Sequence, residues 1–154
     1  MNTYIAIPTY NEANNLEKLV NQILQQHPSF NIIIVDDNSP DGTGAIADNM
    51  SRADSRVHVI HRPQKSGLGT AYVRGFKEAL ERGAELIFEM DADFSHDVKY
   101  LKDFLEAAKK ADLGIGSRYL NGVRVEGWRF RRLLMSKLAN MYVSYIMVKH
   151  IWDF

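Results

Sequence analysis

Two aspartates one residue apart, Asp91 and Asp93, follow the apolar run Leu86-Ile87-Phe88 in the stretch LIFEMDADFSHD. In extended backbone, alternate side chains leave on the same side. Asp91-Ala92-Asp93 therefore aims two carboxylates one way, unless a turn redirects them. Close carboxylates repel, and one takes up a proton unless a cation lies between them. Mg2+ or Mn2+ meets that need, because such ions use few carboxylates and complete their shell with waters and substrate phosphates. The competing reading is a solvated turn in which Asp93 or Ser95 starts the next helix. Asp97 is assigned mainly to that helix-start role, Glu89 ranks below the pair, and His96 has no assigned role.

Other polar clusters follow apolar runs in the same way. Asp36 and Asp37 close Ile32–Val35. An acid there hydrogen-bonds a ribose or base, or helps hold a metal. DDNSPDGT is also full of turn formers, so Asn38 and Asp41 are read as turn and cap residues, and Asp37 stays open between the two readings. KSGLGTA, with Lys65, Gly69 and Thr70, can present backbone N–H groups to phosphate near a helix N-terminus. It lacks the phosphate-loop pattern and the dinucleotide spacing, and a plain turn is the alternative. Arg118, Arg132 and Lys65 are candidates for phosphate charge. The five histidines show no metal-ligand spacing, and there is no Gly-x-Ser-x-Gly elbow.

These clusters need elements to position them. Tyr4–Pro8, Ile32–Val35, VHVIHR and Leu86–Phe88 read as continuously apolar strands, and DLGIGSR as a fifth short one. Between them, Leu16, Leu19, Val20, Ile23 and Leu24 share a helical face. Further helices are expected from Asp41 to about Met50, from the glycine-containing loop to near Gly83, and over Val98, Leu101, Phe104, Leu105 and Ala108. Alternation of apolar strands with helices argues an α/β fold: a mostly parallel central sheet with helices on both faces. Ligands of such sheets gather beyond the carboxyl ends of the strands, where every unusual polar cluster here falls. The last part differs. Arg129 to about Lys149 reads as a helix with Leu133, Leu134, Leu138, Met141, Tyr142, Tyr145 and Ile146 on a broad apolar face. Five basic residues and one acid lie between Arg124 and Lys137.

Composition bounds the options. The 154 residues fit one domain, 45% are hydrophobic, and 19 basic residues balance 19 acidic ones. That balance points away from nucleic acid as a partner. With no cysteine, thiolate chemistry and disulfides are excluded. Neither a signal peptide nor an apolar run of membrane-spanning length is read, so a cytoplasmic protein is expected. The basic stretch and apolar helix also suit peripheral contact with the cytoplasmic face of a membrane; packing on the domain is the alternative.

IPTYNEANNLEKLV, IIIVDDNSPDGTGAIA and EMDADFSH together resemble glycosyltransferase family 2, the inverting nucleotide-sugar transferases with the GT-A fold. SPDGT, KSGLGTAYVRGFKEAL, DADFSHD and GSRYLNGVRVEGWRFRRLLMSKLAN narrow the resemblance to the dolichol- or polyprenyl-phosphate mannose synthases. It covers essentially the whole chain from Tyr4. It implies a GT-A-like single domain, with a nucleotide-sugar core to about residue 118 and an acceptor-side segment over 119–154. Pro8, Tyr10 and Glu12 would border the nucleotide, Asp37 its base and ribose, with Gly69 and Thr70 in the next loop. Asp91, Ala92 and Asp93 match the Asp-x-Asp motif that meets the diphosphate through Mg2+ or Mn2+, with Ser95 near the metal. Arg118, Arg132 and Ser136 match residues that hold donor and acceptor phosphates. The implied reaction moves mannose from GDP-mannose to a polyprenyl phosphate with inversion. Another donor such as UDP-glucose, or a nucleotide-binding fragment without activity, is the alternative.

The resemblance has two departures. A glycine pair usual in the family is replaced near RYLNGVRVEGW by Gly122 and Gly127 alone. Relatives also continue past the position of Asp153 into a Thr-Ser-Gly-Phe-Arg-like motif and further helices or membrane spans. The chain thus resembles a family member cut short, with its donor site whole and its acceptor side incomplete. A membrane subunit is one expected partner on that account.

Overall fold

The apolar runs form strands because both of their faces are covered. The computed structural model describes residues 1–116 and, beyond them, the helical residues Leu134, Met135, Leu138, Ala139, Met141, Tyr142 and Tyr145. Four strands, β1 (Thr3–Thr9), β2 (Phe30–Asp36), β3 (Val57–His61) and β4 (Leu86–Glu89), pair in the order β3-β2-β1-β4. All pairings are parallel, with Ile5 opposite both Ile32 and Phe88. Helices α1 (Leu16–Gln26), α2 (Thr43–Ala53), α3 (Leu68–Glu81) and α4 (Leu101–Ala108) alternate with the strands, and a 3-10 turn (Val98–Tyr100) leads into α4.

Alternation along each strand sorts the side chains between two cores. Ile5, Ile7, Ile32 and Ile34 pack with Leu16, Leu19, Val20 and Ile23 of α1, Ala47 of α2, and Val98 and Leu101. Tyr4, Ile33 and Val35 face Ala71 and Ala79 of α3. Each fully buried isoleucine or leucine stabilises by about 1.5–3 kcal/mol, so the two central strands, covered on both faces, are apolar through Ile5–Ile7 and Ile32–Val35. The expected apolar face of α1 is buried at all five of its positions.

Gly75 explains how closely α3 sits. A glycine inside a helix costs about 1 kcal/mol against alanine. Here an added Cβ would lie 3.1 Å from the Cβ of Ala6 and 3.4 Å from Cγ2 of Val35. Its absence lets α3 approach β1 and β2, which matters for the side chains α3 carries. The helix ends at Glu81, and Gly83, two residues on, takes a positive φ of 75°.

The chain runs outward from β1 to β2 and β3, then returns through α3 to place β4 on the other side of β1. The direction of winding thus reverses at β1, the kind of point where such sheets open a crevice beyond their carboxyl ends.

Two expectations are refined. Helix α2 begins at Thr43, with Asp41 accepting its first backbone N–H at 3.0 Å, so the cap is real but lies one residue before the Gly42 hinge. The fifth short strand does not form over Asp112–Gly116. Gly114 and Gly116 give two of these five residues no side chain to pack, which weakens a strand, and a strand exists only where its backbone groups pair. The chain divides into two units, Met1–Lys109 and Lys110–Phe154. In the second, the described residues between Leu134 and Tyr145 are helical, within the expected helix.

Candidate functional site

The loop after β1 is tied down by side chains of the loop after β2. The N–H of Asn11 donates to Ser39 Oγ at 3.1 Å, that of Glu12 to Thr43 Oγ1 at 2.9 Å, and that of Ala13 to Asp41 Oδ2 at 3.0 Å. Asn11 itself takes a positive φ of 63°, a conformation asparagine tolerates better than most residues. Tyr10 and Glu12 are thereby held at the mouth of the crevice. Glu12 Oε2 accepts from Asn15 Nδ2 at 2.8 Å, and Lys65 Nζ lies 4.1 Å over the ring of Tyr10, a cation–π contact.

At the end of β2, neighbouring acids have different fates. Asp36 is 2% exposed and accepts from Thr9 Oγ1 and from both the amide and hydroxyl of Ser39. It is a structural residue. Asp37 is 5% exposed and receives Arg62 through two nitrogens, Nη2 at 2.6 Å from Oδ2 and Nε from Oδ1. Bidentate pairing of this kind is strong and geometrically specific, and it raises the pKa of Arg62 above its ordinary value. Arg62 also donates to Thr70 Oγ1 at 2.8 Å, so one guanidinium joins the end of β2 to the first turn of α3. Asn38, with a positive φ and a bond to the carbonyl of Pro63, is turn chemistry as expected.

At the end of β4, a turn begins at once. Ala92 is buried in the core while Asp91 and Asp93 line the crevice. The buried alanine between them keeps both carboxylates on the open side, the outcome an extended strand would give. Asp91 Oδ1 accepts from Tyr72 Oη of α3 at 2.7 Å, and the Asp91 N–H donates to His96 Nδ1 at 3.3 Å. Burial raises the pKa of Tyr72, and the neighbouring Asp91 carboxylate raises it further. What burial Asp93 has opposes its charge. Ser95, through its hydroxyl and its amide at 2.9 Å, and the nearby His96 ring outweigh that, leaving the Asp93 pKa below the ordinary value. No lysine or arginine among the described residues pairs with Asp91 or Asp93.

These ends enclose a crevice of about 310 Å³ lined by Pro8, Tyr10, Glu12, Asp37, Lys65, Leu68 and the Asp91–Asp93 turn. Eight expected site residues thus meet: Pro8, Tyr10, Glu12, Asp37, Lys65, Asp91, Ala92 and Asp93. Thr70 does not line it but reaches Asp37 through Arg62. Gly69 lies in the first turn of α3, and Ser95 braces Asp93 from outside the crevice. Asp97 accepts from the Lys99 amide at 3.0 Å, the helix-start role expected of it. Arg118, Arg132 and Ser136 lie outside the described residues.

Three residues at this site carry no assignment from sequence. Arg62 directly follows β3, so the rule that picked out the other strand ends points to it as well. Tyr72 reads as an ordinary buried helix aromatic, and its partner is 19 residues away. His96 stood beside the acids with nothing to say what its ring touched.

Asp91 and Asp93 fit a divalent cation. They are hard oxygen donors on one side of a crevice, without a protein cation among the described residues. No group of three or more acids and histidines assembles there among the described residues. Two carboxylates suit an ion that takes its remaining ligands from water and substrate phosphates.

Comparison with known proteins identifies the family. The model of glycosyl transferase family 2 matches residues 4–151. The polyprenol monophosphomannose synthase of Mycolicibacterium smegmatis is 48% identical over 153 residues, covering 98% of this chain and 58% of that protein. The undecaprenyl-phosphate mannosyltransferase of Micrococcus luteus is 40% identical, covering 99% of this chain and 63% of that protein. The dolichol-phosphate mannosyltransferase of Pyrococcus furiosus is 42% identical over 92% of this chain and 40% of that protein. The chain therefore spans about two fifths to three fifths of the curated relatives it matches. Among solved structures, Staphylococcus aureus TarS 1-349 superposes with a TM-score of 0.60 at 21% identity, over 77% of this chain and 39% of that one. That likeness bears on the fold alone, and the parallel sheet between helices is GT-A-like. By the family match over residues 4–151 and by relatives 40% to 48% identical, the chain belongs to glycosyl transferase family 2.

Proposed function

We propose that this chain is the donor-binding part of a glycosyltransferase that moves mannose from GDP-mannose to a polyprenyl phosphate. The observation that carries the reading is the pair Asp91 and Asp93. They open on a crevice at the winding reversal and lack a cationic partner among the described residues. Membership of the family supports glycosyl transfer. The printed activities of relatives 40% to 48% identical support mannose and a polyprenyl phosphate.

Pro8, Tyr10 and Glu12 border the nucleotide in this reading, and Asp37, held rigid by Arg62, borders its ribose and base. Asp91 and Asp93 hold Mg2+ or Mn2+, with Ser95 steadying Asp93. When bound, that ion neutralises charge growing on the departing diphosphate. Lys65 and the first-turn N–H groups of α3 add positive potential on the same side. An oxygen of the lipid phosphate attacks the anomeric carbon as the bond from that carbon to the diphosphate breaks. The electron pair leaves with GDP. The attacking phosphate is already ionised, so the reaction needs positioning rather than a general base. Attack opposite the leaving group gives a β-linked product from an α-linked donor. Arg118, at the end of the core, and Arg132 and Ser136, in a segment over 119–154 that completes the domain, are proposed to hold the donor and acceptor phosphates. The basic and apolar residues of that segment are proposed to meet a membrane surface or a membrane subunit on the cytoplasmic side.

The test is transfer of radiolabelled mannose from GDP-mannose to polyprenyl phosphate with Mn2+ present, beside binding of GDP-mannose and UDP-glucose. Tighter binding of UDP-glucose overturns the donor assignment. Binding of GDP-mannose without transfer restricts this chain to donor binding.

A further inference from the structure

We infer that Tyr72 is a positioning residue that presents Asp91 to the divalent cation, an inference that rests on the metal reading above. A carboxylate has two oxygens and can swing about its terminal torsion. In Asp91, one oxygen is already committed. Oδ1 accepts from Tyr72 Oη at 2.7 Å, and Tyr72 is only 9% exposed. The phenol is an oriented donor from a buried ring. A tyrosine hydroxyl ordinarily carries its proton at neutral pH, so it donates to an ionised acid. This fixes the carboxylate plane and leaves Oδ2, with the spare lone pair of Oδ1, for the ion. Among the described residues Asp93 lacks such a clamp: its acceptor bond runs to Ser95, two residues on in the same turn. The pair is asymmetric, with Asp91 fixed from another element and Asp93 moving with its own loop.

The placement of Tyr72 has a cause in packing. Gly75, one turn later on α3, lets the helix lie against Ala6 and Val35. The same helix carries Thr70, which Arg62 joins to Asp37. One rigid element thus meets both the acid at the end of β2 and the acid at the end of β4. Groups that hold a metal ligand by hydrogen bonds commonly change metal affinity or activity by about 10- to 100-fold when removed.

The experiment is a titration of Mn2+ read by electron paramagnetic resonance, with and without GDP, on wild type, Tyr72→Phe and Asp93→Asn. Phe keeps the ring and its packing and removes only the donor. Tyr72→Phe is expected to weaken Mn2+ binding about 10-fold, with GDP binding in the absence of metal and the thermal midpoint both little changed. If the Phe variant is too unstable to titrate, Gly75→Ala moves the same helix, and weakened Mn2+ binding is expected there too. Unchanged affinity in the folded Phe variant, or in Gly75→Ala where that stands in for it, overturns the role of Tyr72 while leaving the metal site intact. Absence of Mn2+ binding in wild type, with GDP present, overturns the metal reading and this inference with it. Loss of binding in Asp93→Asn alone shows the site is real but not held through Tyr72.

Discussion

The ends of β2 and β4 look alike in sequence, an apolar strand running into acids, yet they are electrically opposite. After β2, every acid is satisfied by the protein. Asp36 takes three hydrogen bonds, Asp37 takes a bidentate arginine, and Asp41 receives the amides of Ala13 and Thr43. After β4, Asp91 and Asp93 receive, among the described residues, only neutral donors, from Tyr72 and Ser95. Acids are spent on architecture at one strand end and kept in reserve at the other. A count of carboxylates does not single out a candidate cation site. What singles it out is the charge that remains after the donors of the described residues are subtracted.

The sharpest way to break this contrast is to remove the reserve charge. Asp91→Asn or Asp93→Asn is expected to lower mannosyl transfer by about 100- to 1,000-fold, as for loss of one group that stabilises departing charge. Thermal stability should hold or rise, because like-charge repulsion is relieved. Transfer assays and melting curves check both halves, and unchanged turnover sinks the assignment.

The mirror experiment is at β2. Arg62→Ala leaves the buried Asp37 carboxylate without its partner, and stranding one member of a buried pair costs about 3–5 kcal/mol. Denaturant unfolding measures it, and Asp37→Asn in the same background should recover most of the loss. A small cost for Arg62→Ala would mean that Asp37 is not electrically closed, erasing the contrast between the strand ends.

Gly75→Ala tests the helix that serves both ends. Overpacking against Ala6 and Val35 is expected to cost about 1–3 kcal/mol. Mn2+ affinity should fall with it, since Tyr72 moves with α3.

The smallest effect is expected at an acid far from the crevice. Asp54 is held by Arg56, whose side-chain and backbone bonds lower its pKa to about 2. A folded pKa below the unfolded value stabilises above the unfolded value, near 3.9, and the benefit disappears as pH falls through the folded one. Asp54→Asn should therefore cost stability above about pH 4, and the cost should disappear as pH falls below about 2. The pair is about a third exposed, so the loss is expected to stay within about 1 kcal/mol. Unfolding curves of both proteins across that pH range give the comparison.

Much of the fold was legible because two-sided burial writes itself into the strands. Ile32–Val35 has no polar position, and only a sheet covered on both faces asks for that. The buried face of α1 is likewise spelled by Leu16, Leu19, Val20, Ile23 and Leu24. DLGIGSR failed over Asp112–Gly116 because alternation of apolar residues with glycine mimics a strand without supplying one. At the site, residues that line the crevice were legible through their position at strand ends. Those that hold them were not, because Arg62 and Tyr72 act across 25 and 19 residues of chain.

By itself, the sequence determined the alternation of strands and helices, the strand ends at which the polar clusters fall, and the Asp-x-Asp pair that follows the fourth strand. These depend on local periodicity and on residue type, which any stretch carries with it. Only the tertiary structure decided which acids are spare. A carboxylate's availability depends on donors delivered from other elements: Arg62 from the end of β3 closes Asp37, while Tyr72 from α3 takes one oxygen of Asp91 and, among the described residues, leaves its charge unpaired. Hydrogen-bond partners distant in sequence become neighbours only when the sheet and its helices have packed.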